Sequence, residues 1–91
     1  MNSTKFISVN SAVTASAGKV FTSIQMVQDT KFHTLTPATG YSHTNVDSGS
    51  LLFANATSTN AVTWTTGQII YGRFSTIQLH SGSAVLAYES I

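Results

Sequence analysis

The last third of the chain shows the clearest pattern of apolar and polar positions. Residues 73–89, RFSTIQLHSGSAVLAYE, contain two runs that alternate apolar with polar or small residues, separated by Ser81 and Gly82. Alternation with a period of two is typical of β-strands, and Ser-Gly is a turn signal. The segment therefore predicts a C-terminal β-hairpin.

A two-residue turn would set the register of this hairpin and assign its faces. The opposed pairs would be Leu79 with Ala84, Ile77 with Leu86, and Ser75 with Tyr88. This face would pack on the core, and the other face would carry Phe74, Thr76, Gln78, His80, Val85 and Ala87. Such a mixed surface suits contact with another molecule. The candidate interface residues are Phe74, Thr76, Gln78, His80, Val85 and the adjacent Arg73. A three-residue loop with Gly82 in the left-handed region would shift one strand by one residue.

The rest of the chain has the same character. Short alternating or apolar runs predict further strands at residues 4–9, 19–28, 32–35, 51–54, 61–64 and 67–72, with a long loop at 39–50. The expected core residues are Phe6, Ile24, Met26, Trp64, Ile70, Ile77, Leu79 and Leu86. Residues 21–26, FTSIQM, resemble residues 74–79, FSTIQL, which indicates either two equivalent strands or a chance match. Residues 1–91 are thus predicted to form a single all-β domain, a small antiparallel β-sandwich or β-barrel ending in a β-hairpin.

Composition adds a preference for assembly. Only seven of the 91 residues are charged, against roughly 25% in an ordinary soluble domain. Edge strands are normally protected by Lys, Glu or Pro, which are scarce here, so we expect a homo-oligomer, either a dimer or a trimer. A net charge of +1 gives no electrostatic basis for binding nucleic acid. No apolar run is long enough for a membrane span or a signal peptide, so we expect neither membrane association nor export.

Candidate chemistry is sparse. The chain has no cysteine, and the spacing of His33, His43 and His80 does not by itself bring two imidazoles together. The three acidic residues lie in different segments, and no serine lies in a nucleophile motif. We therefore expect no enzymatic activity, no cofactor and no metal site.

Two blocks of the sequence resemble small virion-associated proteins of tailed bacteriophages. The first has Phe21, Ile24, Asp29, Phe32, Leu35 and Thr36 at the positions of a Phe-x-x-Ile-x-x-x-x-Asp-x-x-Phe-x-x-Leu-Thr pattern, and the second spans residues 67–88. The resemblance implies a β-rich structural protein of the virion, most similar to a capsid decoration or cement protein. Its partners would be the major capsid protein or other virion proteins, and it would be made and assembled in the host cytoplasm.

Two other functions are also compatible with the sequence. A tail or fibre component involved in host attachment would use the Tyr and Trp side chains to stack on glycans. A small hydrolase would need its histidines to converge in the fold.

Overall fold

A computed structural model describes residues 3–41 and 63–91. The segments 51–54, most of 39–50 and part of 61–64 lie outside the described residues. The strands are β1 (Ser3–Ile7), β2 (Val13–Thr14), β3 (Val20–Met26), β4 (Phe32–Pro37), β5 (Ile69–Leu79) and β6 (Val85–Ser90). The described residues contain strands and turns but no helix, which confirms the predicted all-β class.

The six strands of the described residues pair antiparallel in one curled sheet that forms a half-barrel. The order along the sheet is β1-β6-β3-β5-β2, and β4 also pairs with β5. Phe74 of β5 stands opposite both Phe21 of β3 and Pro37 of β4, whereas Thr76 stands opposite Thr14 of β2 and Thr36 of β4. At residues 74 and 76, β4 pairs with one edge of β5. The strands β3 and β2 therefore pair with the other edge of β5, one after the other along its length.

The C-terminal hairpin prediction is wrong in its pairing. The turn itself is present, because the Ser83 N–H donates to the His80 carbonyl at 3.3 Å and Gly82 has a φ of 86°. However, β5 and β6 both pair with β3, which lies between them: Gln25 stands opposite Ile69 on one side and Leu86 on the other. The predicted pairs Leu79–Ala84, Ile77–Leu86 and Ser75–Tyr88 are therefore not formed.

Residues 27–30 direct the chain away from a hairpin. The Ala84 carbonyl accepts hydrogen bonds from the Val27 and Gln28 N–H groups, at 3.0 and 3.4 Å. The buried Thr30 hydroxyl donates to the same carbonyl at 3.1 Å. These contacts hold residue 84 against the end of β3 rather than against β5, so β6 starts on the far side of β3.

A motif of the form Phe-x-x-Ile or Phe-x-x-Leu occurs in three strands and coincides with breaks in register. Its copies are residues 21–24, 32–35 and 74–77. The register shifts between Phe21 and Ser23 in β3 and between Phe32 and Thr34 in β4. It also shifts between Thr36 and Pro37 in β4, which stand opposite Thr76 and Phe74 of β5. An extra residue in one strand of a pair returns the next apolar side chain to the same face. Both apolar residues of each copy are therefore buried, with 0% exposure.

The register corrects several assignments of faces. Phe74 and Val85, predicted on the outward face, have 0% exposure and belong to the core, as does Ala87. Phe74 points inward because the register shifts directly after it. The inward and outward residues of β6 are exchanged relative to the prediction because β6 pairs with β3 and not with β5. Of the predicted core, Ile24, Met26, Ile70, Ile77 and Leu79 are buried, Trp64 and Leu86 are half-buried, and Phe6 is 61% exposed.

Candidate functional site: the outer surface of the sheet

The pairing of four strands places outward-facing residues in two rows across the sheet. One row runs Phe6, Leu86, Gln25, Ile69, and the other runs Thr4, Tyr88, Ser23, Tyr71, in the order β1, β6, β3, β5. Between them lies the row Lys5, Ala87, Ile24, Ile70, whose members are buried or half-buried on the inner face. Directly opposed residues share a face, so the eight outward residues form one continuous surface. We call it the outer apolar face.

This face is unusually apolar for a surface exposed to water. Tyr71 is 74% exposed, Phe6 61% and Ile69 41%, and Leu86 and Tyr88 are half-buried. None of its eight residues carries a charge. The Tyr88 hydroxyl donates to Oε1 of Gln25 at 3.4 Å, which is a weak bond that leaves the phenol largely free for another partner. Contiguous apolar surface with polar neighbours marks interaction sites in soluble proteins.

The predicted interface residues do not lie together on this face. Phe74 and Val85 are in the core, and Thr76 lies in an outward row of three threonines, Thr14, Thr76 and Thr36. Arg73 places its guanidinium 5.0 Å from the centre of the Tyr41 ring, which is a cation-π distance. Gln78 and His80 line a separate pocket at the end of β5.

This pocket brings two histidines together. It is a cavity of about 290 Å³ lined by Asn10, His33, Gln78, Leu79, His80 and Ser81. The His33 and His80 rings have their centres 5.4 Å apart with an interplanar angle of 67°. Nδ1 of His33 is hydrogen-bonded to the Thr34 hydroxyl at 2.7 Å, and Nε2 of His80 is buried without a hydrogen-bond partner among the described residues.

Burial lowers the pKa of His80, and the positive charges of His33 and Lys31 lower it further. The imidazole is therefore held in its neutral form over a wider pH range than a free histidine. A neutral imidazole has one nitrogen with a free lone pair, which can accept a hydrogen bond or bind a metal ion.

The second polar site surrounds Glu89 at the other end of the sheet. Glu89 is 2% exposed and accepts hydrogen bonds from the Ser3 hydroxyl at 2.7 Å, the Ser16 N–H at 2.5 Å and the Ser16 hydroxyl at 3.2 Å. Lys19 Nζ donates to the Ser3 hydroxyl at 3.2 Å. Burial raises the pKa of Glu89, but the bonds from Ser16 and Ser3, aided by the charge of Lys5, outweigh burial and lower the pKa overall. Both carboxylate oxygens already have partners, which is typical of a structural role.

Residues 15–19 place Ser16 over this carboxylate. The Ala15 N–H donates to the Ser75 carbonyl at 2.9 Å, and the Lys19 N–H donates to the Ser16 carbonyl at 2.9 Å. The segment thus leaves the side of β5 after β2, covers Glu89 and returns as β3. Glu89 itself stands opposite Ser3 in β1 and Phe21 in β3, in an inward-facing row.

No protein-family model matches the chain, and searches of curated proteins and of solved structures also find no match. The part of the chain that the structure describes contains no helix that could cross a membrane. Within residues 3–41 and 63–91, His, Cys, Asp and Glu side chains do not form a group of three or more placed for a metal ion.

The sequence interpretation missed the outer apolar face because it assumed the wrong neighbour for β6. The sequence pattern predicts Tyr71 only as part of an apolar run, Tyr88 and Leu86 on the inner face, and Phe6 in the core. The sequence does contain a signal for this face: residues 4–7, 69–71 and 85–90 each have apolar side chains at both odd and even positions, so each strand has an apolar residue on both faces. Only the pairing decides which set faces inward.

Proposed function

We propose that this chain is a non-enzymatic virion structural protein, a capsid decoration or cement protein that bridges and stabilises capsid subunits. The observation that carries the proposal is the outer apolar face, which is continuous across four strands and has no charged residue among its eight members. In this proposal, the face packs on neighbouring proteins of the particle.

The composition of the face supports a contact that is made once and kept. Burying Phe6, Ile69 and Tyr71 would remove apolar area from water at roughly 25 cal/mol per Å². Burying charged groups would carry a desolvation cost, and the face has none. Tyr side chains are also enriched in interfaces, because the ring packs while the hydroxyl finds a polar partner.

The first block of the resemblance to phage virion proteins matches mainly residues of the core and of a turn, and none of the outer apolar face. Its matched residues Phe21, Ile24, Phe32 and Leu35 are fully buried and accompany the register breaks described above. The matched Asp29 accepts bonds from the N–H and hydroxyl of Thr66, at 3.1 and 3.2 Å, so it orders a turn. The virion is therefore proposed from the resemblance, and the mode of attachment from the outer apolar face.

The runner-up function is a tail or fibre component involved in host attachment. The observation in its favour is the outward row that carries both Tyr71 and Tyr88, with Ser23 between them. Aromatic rings flanked by hydroxyl groups can stack on sugars and hydrogen-bond to them. Antibody labelling of purified particles separates the two: signal over the head supports decoration, and signal confined to the tail supports attachment.

A binding experiment tests the contact surface. We expect the purified protein to bind particles or shells of the parent virus that lack it, and Tyr71→Lys to abolish binding while the circular dichroism spectrum is unchanged. Thr36→Lys is the matched control, because it adds the same charge to an exposed outward position outside the outer apolar face. Equal loss of binding in both variants, or in neither, would contradict the proposed contact.

We further propose a homo-oligomer, a dimer or a trimer, that uses the same face or the edge of β1. Light scattering at micromolar concentration would measure the mass of the free protein. A stable monomer that still binds particles would retain the decoration function and refute self-association. A stable monomer that binds no particle would refute both.

A further inference from the structure

The pocket at the end of β5 has features of a metal site that the sequence spacing did not indicate. His33 lies near the start of β4, and His80 directly follows β5. Phe32 stands opposite Leu79 in the antiparallel β4–β5 pairing, so His33 and His80 lie on either side of this pair, with their ring centres 5.4 Å apart. The tertiary structure thus supplies the convergence that a local motif would otherwise provide.

The separation of the rings fits coordination of one ion. Imidazole nitrogens bind Zn²⁺ at ~2.0–2.1 Å, so two imidazoles on one tetrahedral ion have ring centres roughly 5 Å apart. The His33 and His80 ring centres are 5.4 Å apart and the rings are steeply inclined, at 67°. This ring separation is compatible with both imidazoles binding one ion.

The hydrogen bonds leave the right atoms for a metal. Nδ1 of His33 is hydrogen-bonded to the Thr34 hydroxyl, so Nε2 is available for a metal. In metal-binding histidines, a hydrogen bond from the nitrogen that does not bind the metal orients the ring in the same way. Nε2 of His80 is buried without a hydrogen-bond partner among the described residues. A buried polar atom in that condition carries a desolvation cost that a bound ion would remove.

We propose that His33 and His80 bind one divalent transition-metal ion of the zinc, nickel and copper class. Gln78 Nε2 donates to the Asn10 carbonyl at 3.3 Å, and Asn10 Nδ2 donates to the Ser81 hydroxyl at 3.1 Å. Both side-chain amide oxygens are therefore free of these bonds, and both residues line the same cavity, where their oxygens or water would complete the coordination. Imidazole ligands favour this class over Mg²⁺ and Ca²⁺, which prefer oxygen ligands.

The bound ion would link the start of β4, the end of β5 and the segment after β1. The nearby positive charge of Lys31 opposes a cation, so the site is expected to have modest affinity. This inference is independent of the proposed virion function, because none of the residues that line the pocket belongs to the outer apolar face.

Titration of the full chain with Zn²⁺ or Ni²⁺ tests the site. We expect one ion per chain, a melting temperature that rises with metal concentration, and perturbation of the His33 and His80 ring signals in NMR spectra. Mg²⁺ should produce none of these effects. Replacing either histidine, as H33A or H80A, should weaken binding by roughly tenfold or more, and Thr34→Val should weaken it by ~10–100-fold through loss of the outer bond.

His43→Ala is the matched control, since it removes the remaining histidine and should leave binding unchanged. H80Q provides a more conservative replacement if H80A fails to fold. The proposal would be overturned by absence of binding at millimolar Zn²⁺ and Ni²⁺, by binding that survives in H33A, or by loss of binding in H43A.

Discussion

Phe21 and Phe74 stand opposite each other in β3 and β5, and both rings are fully buried in the centre of the core. Each is the first residue of a Phe-x-x-Ile segment whose Ile is also fully buried. In a regular strand, residues three apart point to opposite faces. The register breaks therefore allow the two Phe residues and the two Ile residues to fill the same core.

Truncation of Phe74 tests this packing. Phe74→Ala should lower the free energy of unfolding by about 3–5 kcal/mol, because it removes a fully buried ring from between β3 and β4. Phe6→Ala removes the same side chain from a position that is 61% exposed, so it should change stability by about 0.5 kcal/mol or less. Urea denaturation of both variants measures the difference. Similar losses in the two would place Phe74 outside the core.

A charge on β6 distinguishes its inner and outer sides. Val85 is fully buried in a row with Ile7 and Met26, so Val85→Lys should prevent folding, since it places an unpaired charge in the core. Tyr71→Lys introduces the same charge on the outer apolar face and should leave the free energy of unfolding within about 0.5 kcal/mol of wild type. Circular dichroism and thermal melting would measure both. A folded V85K protein would restore the opposite assignment, in which Val85 faces outward.

The turn after β5 depends on one glycine. Gly82 has a φ of 86°, and a Cβ added there would meet no atom within 4 Å. Gly82→Ala should therefore cost about 1–2 kcal/mol through backbone strain alone. Gly82→Asn should recover part of this loss, because Asn tolerates the left-handed region better than Ala does. Equal melting temperatures for the wild type and G82A would show that residue 82 does not keep this conformation.

Acid should weaken the fold through Glu89. Because its folded-state pKa lies below the ordinary value of 4.5, the carboxylate contributes its full stabilisation above that pH. The contribution is lost as the pH falls through the folded-state pKa, where the proton displaces the bonds from Ser16 and Ser3. Urea midpoints measured from neutral pH down to pH ~3 should fall for wild type. Glu89→Gln, which cannot ionise, should be less stable at neutral pH and should show a flatter profile; an identical profile would assign the acid sensitivity to another group.

The fold class could be predicted because it depends on short-range information. Alternation in residues 19–28 and 73–89, together with turn residues such as Gly82, is sufficient to indicate strands and their ends. The pairing of β5 and β6 could not be predicted in this way. A Ser-Gly turn is compatible with a hairpin, but the bonds from Val27 and Gln28 to the Ala84 carbonyl come from a distant segment and redirect β6.

The candidate sites depended even more on pairing. His33 and His80 lie near each other because the β4–β5 register places them on either side of the Phe32–Leu79 pair, and the outer apolar face exists only because β3 lies between β5 and β6. Of the predicted interface, Thr76, Gln78, His80 and Arg73 lie outside the core, whereas Phe74 and Val85 fill it.

Local sequence features are sufficient to establish that this protein is all-β, low in charge and rich in turns, because alternation and Gly positions act over a few residues and composition needs no structure. Which side of each strand faces the core depends on strand pairing in the folded protein. A single extra residue in a strand moves every later side chain to the opposite face of the sheet. A change of neighbouring strand changes which residues form a row across the sheet. These strand pairings join residues that are far apart in the chain, so a local sequence pattern cannot predict them.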